Sequence, residues 1–155
     1  MEYGELIKGF SEKIGLADLA ADESGTVSLD IDGMLVSIIG MPVVDKVIMM
    51  GDVGDIPPEG REKFYRIVLE AMYLDQGSAG CTFSIEADSG KLKIHRSESC
   101  KLLDVESFSE LVESFVNVLE EWRRLAVDFR PVVEASEKEL SEEPIAFGNG
   151  SFMQV

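Results

Sequence analysis

The sequence has few of the residues on which most enzymes and extracellular proteins depend. It contains one histidine, His95, and two cysteines, Cys81 and Cys100, without CxxC spacing. Two scattered cysteines predict buried thiols instead of a disulfide framework. Nucleophilic catalysis needs a base beside the nucleophile, and nothing in the sequence pairs His95 with either thiol. The sequence therefore predicts no enzyme. A small enzyme with a carboxylate pair in a pocket stays open, because a sequence does not reveal pockets.

Motifs for cofactors and metals are also missing. The chain has no GxGxxG, GxxxxGK[ST], GxSxG or HExxH pattern. Asp52 and Asp55 lie beside glycines, but the EF-hand spacing and its closing glutamate are absent. We therefore expect no cofactor and no metal.

Positive charge is scarce, with 14 Lys and Arg against 30 Asp and Glu and a net charge of −16. This excess of acids argues against binding to nucleic acids or to anionic membranes. No apolar run approaches the roughly 18 residues that suggest a membrane helix. The start, Met1 to Glu5, lacks the basic-then-apolar pattern of a signal peptide. We expect a cytoplasmic protein with no nucleic acid partner and no membrane partner.

Length and composition predict one globular domain followed by a tail. The apolar content of 45% is ordinary for a globular protein. We place the domain at 1–129 and an acidic, mobile C-terminal tail at 130–155, whose apolar end, 145–153, could dock on a groove.

The hydrophobic periodicity predicts three helices and five strands. Helical spacing marks 2–14, 57–77 and a third helix that follows the N-cap residue Asp104 and carries an apolar stripe to Trp122. Asp32-Gly33 is a strong hairpin signal. The predicted strands are 27–31, 34–39, 43–50, 81–86 and 91–95. The second strand is nearly all apolar, so we expect both its faces to be covered.

The helix predicted over 57–77 has more apolar surface than one sheet can cover. One stripe would pack on its own sheet, and a second stripe lies beside it. The first stripe comprises Phe64, Ile67, Val68, Ala71 and Met72, and the second comprises Tyr65, Leu69 and Tyr73. Either this is a central core helix or it has a second neighbour outside the domain.

These patterns resemble the class I chaperones of bacterial type III secretion, the Tir-chaperone family, over residues 3–126. The resemblance is carried by Leu6-Ile7-x-x-Phe10, by Leu29-x-Ile31-Asp32-Gly33 and by Pro57-Pro58. It is also carried by Phe64, by 69–74 and by the helix from Phe108 to Trp122. It implies an α+β fold of order α-β-β-β-α-β-β-α, in which helices pack on a twisted antiparallel sheet. It also implies a homodimer with Tyr65, Leu69 and Tyr73 at the seam.

The resemblance further implies a function. The family binds the N-terminal segment of a secreted effector and keeps it soluble and competent for export, without a cofactor. The implied effector-binding residues are Leu6, Ile7, Phe10, Val27, Leu29 and Ile31, with Ile38 and Met49 as weaker ones. Ordinary core packing is the alternative at each position. A non-catalytic adaptor or sensory module of similar shape is the alternative function.

Overall fold

A computed structural model describes residues 1–16 and 19–131. The helices and strands follow one another in the order that the sequence predicts, with short 3-10 turns between some of them. No helix within the described residues is both long enough and apolar enough to span a membrane. The helices are α1 (Tyr3–Ile14), α2 (Arg61–Ala71) and α3 (Val105–Asp128), and the strands are β1 (Thr26–Ile31), β2 (Met34–Met41), β3 (Lys46–Gly54), β4 (Thr82–Ile85) and β5 (Leu92–Ser99).

All five strands form one antiparallel sheet of order β1-β2-β3-β5-β4. Asp32 and Gly33 join β1 to β2 with φ of +52° and +78°. A two-residue hairpin with positive φ at both positions matches the right-handed twist of its strands, which confirms this predicted turn. The β1 and β4 strands are the two edges of the sheet. The predicted α+β class and element order are thus confirmed.

The core lies on one face of the sheet, under α1 and α3. Two glycines of the sheet permit the close approach of these helices: a Cβ at Gly40 would collide with the ring of Tyr3 in α1, and a Cβ at Gly51 would lie 2.5 Å from Leu119 in α3. The third helix begins at the predicted cap, because the Asp104 carboxylate accepts a hydrogen bond from the Ser107 backbone N–H at 2.8 Å.

The predicted start of the middle helix at Pro57 is wrong by four residues. Gly60 has φ +67°, a left-handed conformation, so the regular helix begins only at Arg61. A Cβ at Gly60 would lie 2.6 Å from Pro131, which shows how closely the end of the described chain packs there. Phe64 and Val68 are buried as predicted, but Ile67 is 37% exposed. The helix ends at Ala71, and Tyr73–Asp75 forms a 3-10 turn.

Two further predictions need correction. Pro42–Val44 is a 3-10 turn, so β3 begins at Lys46 and continues to Gly54. Coverage of both faces of β2 is wrong for the single chain, because burial alternates and Leu35 is 59% exposed. The predicted tail, from residue 132 onward, lies outside the described residues.

Candidate protein-binding surfaces

An apolar groove of about 460 Å³ lies between α1 and α3 above the edge strand β1. Leu29 and Ile31 of β1 form its floor, and Ile14 and Leu16 at the end of α1 are 41% and 49% exposed along one wall. We call this surface the α1–α3 groove. Its apolar lining comprises Phe10, Ile14, Leu16, Leu29, Ile31, Val112 and Val116. Exposed apolar side chains gathered in one concavity are typical of a protein-binding site.

The rim of the groove is acidic. Lys13 is the one cation among the described residues of the lining, and its Nζ lies 2.5 Å from Oε2 of Glu106. The remaining charged residues of the lining are Asp30, Glu110 and Glu113. The groove therefore has an apolar floor and a net negative rim.

On the outer side of the groove, no described strand pairs with the backbone of β1. Asp22 closes one end of this edge: its N–H donates to the Thr26 carbonyl at 2.8 Å, and its carboxylate accepts from the Thr26 N–H at 2.9 Å. Backbone groups of alternate strand residues point to opposite sides. The N–H and C=O of Ser28 and Asp30 therefore point outward, as those of Thr26 do. An extended peptide could add to the sheet at this edge.

The six predicted effector-binding residues separate into two groups. Phe10, Leu29 and Ile31 line the α1–α3 groove. Leu6 and Val27 are fully buried, and Ile7 is 5% exposed beside a second cavity at the other side of α1. Ile38 and Met49, the weaker predictions, are also fully buried. Leu16, Val112 and Val116 also line the groove, and none of them is among the residues predicted to bind the effector.

The face of the sheet opposite α1 and α3 carries a second apolar surface. Ile39 pairs with Ile48 across β2 and β3. Both side chains are partly exposed and lie outside the buried core. Met50 pairs with Ser37 on one side and with His95 on the other. We call this surface the outer sheet face; its apolar members are Leu35, Ile39, Met41, Ile48 and Met50. The unusually apolar β2 is explained by this face, which the described residues leave partly exposed.

A third apolar surface lies along α2. Leu69 is 63% exposed and Tyr73 is 68% exposed, and Tyr65 is partly buried beside them. Three charged residues lie next to this stripe: Arg66 Nε is 2.7 Å from Glu70 Oε1, and Glu62 is the third. We call Tyr65, Leu69 and Tyr73 the α2 stripe. The structure brings the three predicted seam residues to one surface.

Groups with shifted pKa values are spread over the molecule and do not form a catalytic cluster among the described residues. The pKa values of Asp22, Asp45, Glu86 and Asp104 are lowered, in each case first by a hydrogen bond from a nearby serine. Burial raises the pKa of the Cys81 and Cys100 thiols, which are free and buried, as predicted. No group of three potential metal ligands occurs within the described residues. The lowered pKa values of these carboxylates result from hydrogen bonds in turns and at a helix cap, so they indicate roles in the fold.

The fold is that of several solved structures. A structure of the HopA1-SchA chaperone-effector complex matches with a TM-score of 0.68 and 17% identity, over 79% of this chain and 93% of the other. The Yersinia pestis type III secretion chaperone SycH, in complex with a fragment of YscM2, matches with a TM-score of 0.63 and 13% identity. The match covers 77% of this chain and 98% of the other. YbjN, a candidate transcription regulator from E. coli, matches with a TM-score of 0.51 and 13% identity. The match covers 75% of this chain and 84% of the other. At these identities the likeness concerns the fold.

Sequence comparison identifies the family. No curated protein matches the chain significantly over its sequence. The family model for Tir chaperone proteins (CesT) matches residues 5–123, which include every helix and strand described above except the last residues of α3 and the start of α1. The chain belongs to the Tir chaperone protein (CesT) family.

Proposed function

We propose that this protein is a type III secretion chaperone that binds the N-terminal segment of a secreted effector in the cytoplasm. The observation that carries the proposal is the family match over residues 5–123. It is supported by three apolar surfaces that are at least partly exposed in the part of the chain that the structure describes: the α1–α3 groove, the outer sheet face and the α2 stripe. A protein with a net charge of −16 can remain soluble while it exposes such surfaces.

Within this proposal the α1–α3 groove contacts the client. Phe10, Leu29 and Ile31 offer apolar contacts, and the outward backbone groups of Ser28 and Asp30 offer hydrogen bonds to an extended segment. Leu6, Ile7 and Val27 support the groove from the core, since little or none of their surface is exposed. Binding of this kind keeps an effector segment unfolded without any covalent chemistry, so the proposed function includes no enzymatic step.

The α2 stripe is proposed as the seam of a homodimer. Its side chains are large and apolar, Leu69 and Tyr73 are exposed, and the adjacent Arg66–Glu70 ion pair leaves Glu62 as the remaining charged residue of this surface. Two copies of the stripe can meet about a two-fold axis, because such an interface joins identical patches. A dimer would double the client-binding surface and let one effector segment contact both subunits.

Co-expression with a neighbouring gene tests the proposed function. The N-terminal segment of the protein encoded next to this gene carries an affinity tag, and the C-terminal part of that same protein serves as the control. We expect the N-terminal segment to become soluble and to retain the chaperone on the affinity resin, and the control to retain none. If no neighbouring product gains solubility or retains the chain, the proposed function is wrong.

A further inference from the structure

We propose that the α1–α3 groove selects client segments in which lysine or arginine residues are interspersed among apolar ones. The inference rests on the proposed function, because it concerns which unfolded segments the groove accepts. It adds a charge requirement to the apolar one.

Three glutamates follow one side of α3 along the groove. Glu106, Glu110 and Glu113 are spaced three and four residues apart, so they lie above one another on the helix surface. The Asp30 side chain does not join them: it lies on the face of the sheet opposite Leu29 and Ile31, because successive side chains of a strand alternate between faces. A segment lying in the groove would pass along this row of glutamates.

Among the described residues of the lining, one cation faces these three carboxylates. Lys13 is engaged with Glu106 at 2.5 Å. Glu110 and Glu113 form no ion pair with any cation in the described part of the chain. Two carboxylates are thus available to a cationic client.

The apolar floor decides which cations fit. Lysine and arginine carry long aliphatic stems that cover apolar surface while their charged ends stay in water. Here the stems can lie on Leu29 and Ile31, and the charged ends can reach the carboxylates of the rim. A glutamate in the client would meet the same rim with like charge. The α2 stripe has fewer such charges, because Glu62 and Glu70 border it and Glu70 is paired with Arg66.

Three labelled peptides of equal length test the charge requirement by fluorescence anisotropy on the full chain. They share a frame of leucine and threonine and differ only in whether their variable positions hold lysine, glutamine or glutamate. We expect the lysine peptide to bind about tenfold more tightly than the glutamine peptide at low salt, since two exposed ion pairs contribute about that much. The glutamate peptide should bind most weakly, and molar salt should remove the difference.

A matched pair of double variants separates the groove from the overall negative charge. Glu110→Gln with Glu113→Gln removes two charges from the rim, and Glu59→Gln with Asp88→Asn removes two exposed charges from loops elsewhere. The rim variant should lose the preference for lysine, and the loop variant should keep it. Equal binding of the lysine and glutamine peptides, equal loss in both variants, or no binding of any peptide would overturn the inference. A client that still co-purified would leave the proposed function standing.

Discussion

The ring of Phe10 meets the ring of Phe108 edge to face, with centroids 5.3 Å apart and an angle of 75° between the planes. Phe10 is 4% exposed and Phe108 is fully buried. The contact joins α1 to α3 at the base of the α1–α3 groove, so the width of the groove depends on it. Residues of the core and residues of the proposed client site are therefore in direct contact.

Truncation of Phe10 should destabilise the fold. We expect Phe10→Ala to lower the free energy of unfolding by about 3–5 kcal/mol, because it removes a buried ring and leaves a cavity. Phe10→Leu keeps most of the apolar volume and should cost clearly less. Urea unfolding followed by circular dichroism measures both. Equal losses for the two variants would contradict the packing role given to the ring.

The two glycines of α1 should respond in opposite ways to alanine. A Cβ at Gly4 meets no atom within 4 Å, whereas a Cβ at Gly9 would collide with a methyl group of Val105 in α3. Gly4→Ala should therefore gain up to about 1 kcal/mol from helix propensity. At Gly9 the same gain should be offset by the clash between α1 and α3. Thermal unfolding of the two variants provides the comparison, and an equal gain at both positions would contradict the close approach of the helices.

Tyr3 should make the protein sensitive to alkali. Its hydroxyl lies 2.9 Å from the Gly25 carbonyl oxygen and 3.0 Å from that of Ile38, and burial is the main reason that its pKa is raised to about 12. A raised pKa means that the stabilising, protonated form is fully present below the ordinary value of 10.0 and is lost as pH rises through about 12.

Tyr3→Phe isolates this effect. The variant should be less stable than the wild type by about 1 kcal/mol at pH 8, the typical loss of one hydrogen bond. The difference should shrink as pH rises above 10, because only the wild type loses protonated tyrosine there. Urea unfolding of both proteins at several pH values tests the prediction. A difference that stayed constant up to pH 12 would show that the phenol is not held as described.

Charge on the α2 stripe should prevent dimerisation. Light scattering of the wild type at micromolar concentration should give twice the chain mass of 17.0 kDa, and Leu69→Asp or Tyr73→Asp should give the mass of one chain. Val43→Asp is the control, because Val43 is 98% exposed at the far turn between β2 and β3 and lies outside the stripe. A monomeric wild type, or dimeric stripe variants, would contradict the proposed seam.

Patterns of short range were predictable from the sequence. The hairpin at Asp32-Gly33 needs positive φ at both residues, and the cap at Asp104 needs one carboxylate and one free N–H, so each is specified by a few neighbouring residues. The start of α2 was not predictable, because Pro57-Pro58 is a valid helix start and only the left-handed Gly60, packed against Pro131, delays the helix.

The division of apolar residues between core and surface was not predictable either. Phe10 and Leu6 share one helical stripe, yet Phe10 lines the groove and Leu6 is fully buried. In β2 the apolar run suggested cover on both faces, whereas both long helices lie on one face. Hydrophobic periodicity predicts which side chains are buried. It does not predict whether a distant element of the same chain or another chain buries them.

Isothermal titration calorimetry, in which the purified client segment is titrated into the purified chaperone, measures directly whether the α1–α3 groove binds the client. The wild type should bind the segment with a measurable heat, and Ile31→Asp, which places a charge on the floor of the groove, should bind at least about tenfold more weakly. Val43→Asp should bind as the wild type does, since Val43 lies outside the groove. Equal affinity of the wild type and the Ile31→Asp variant, with both proteins folded, would contradict the account.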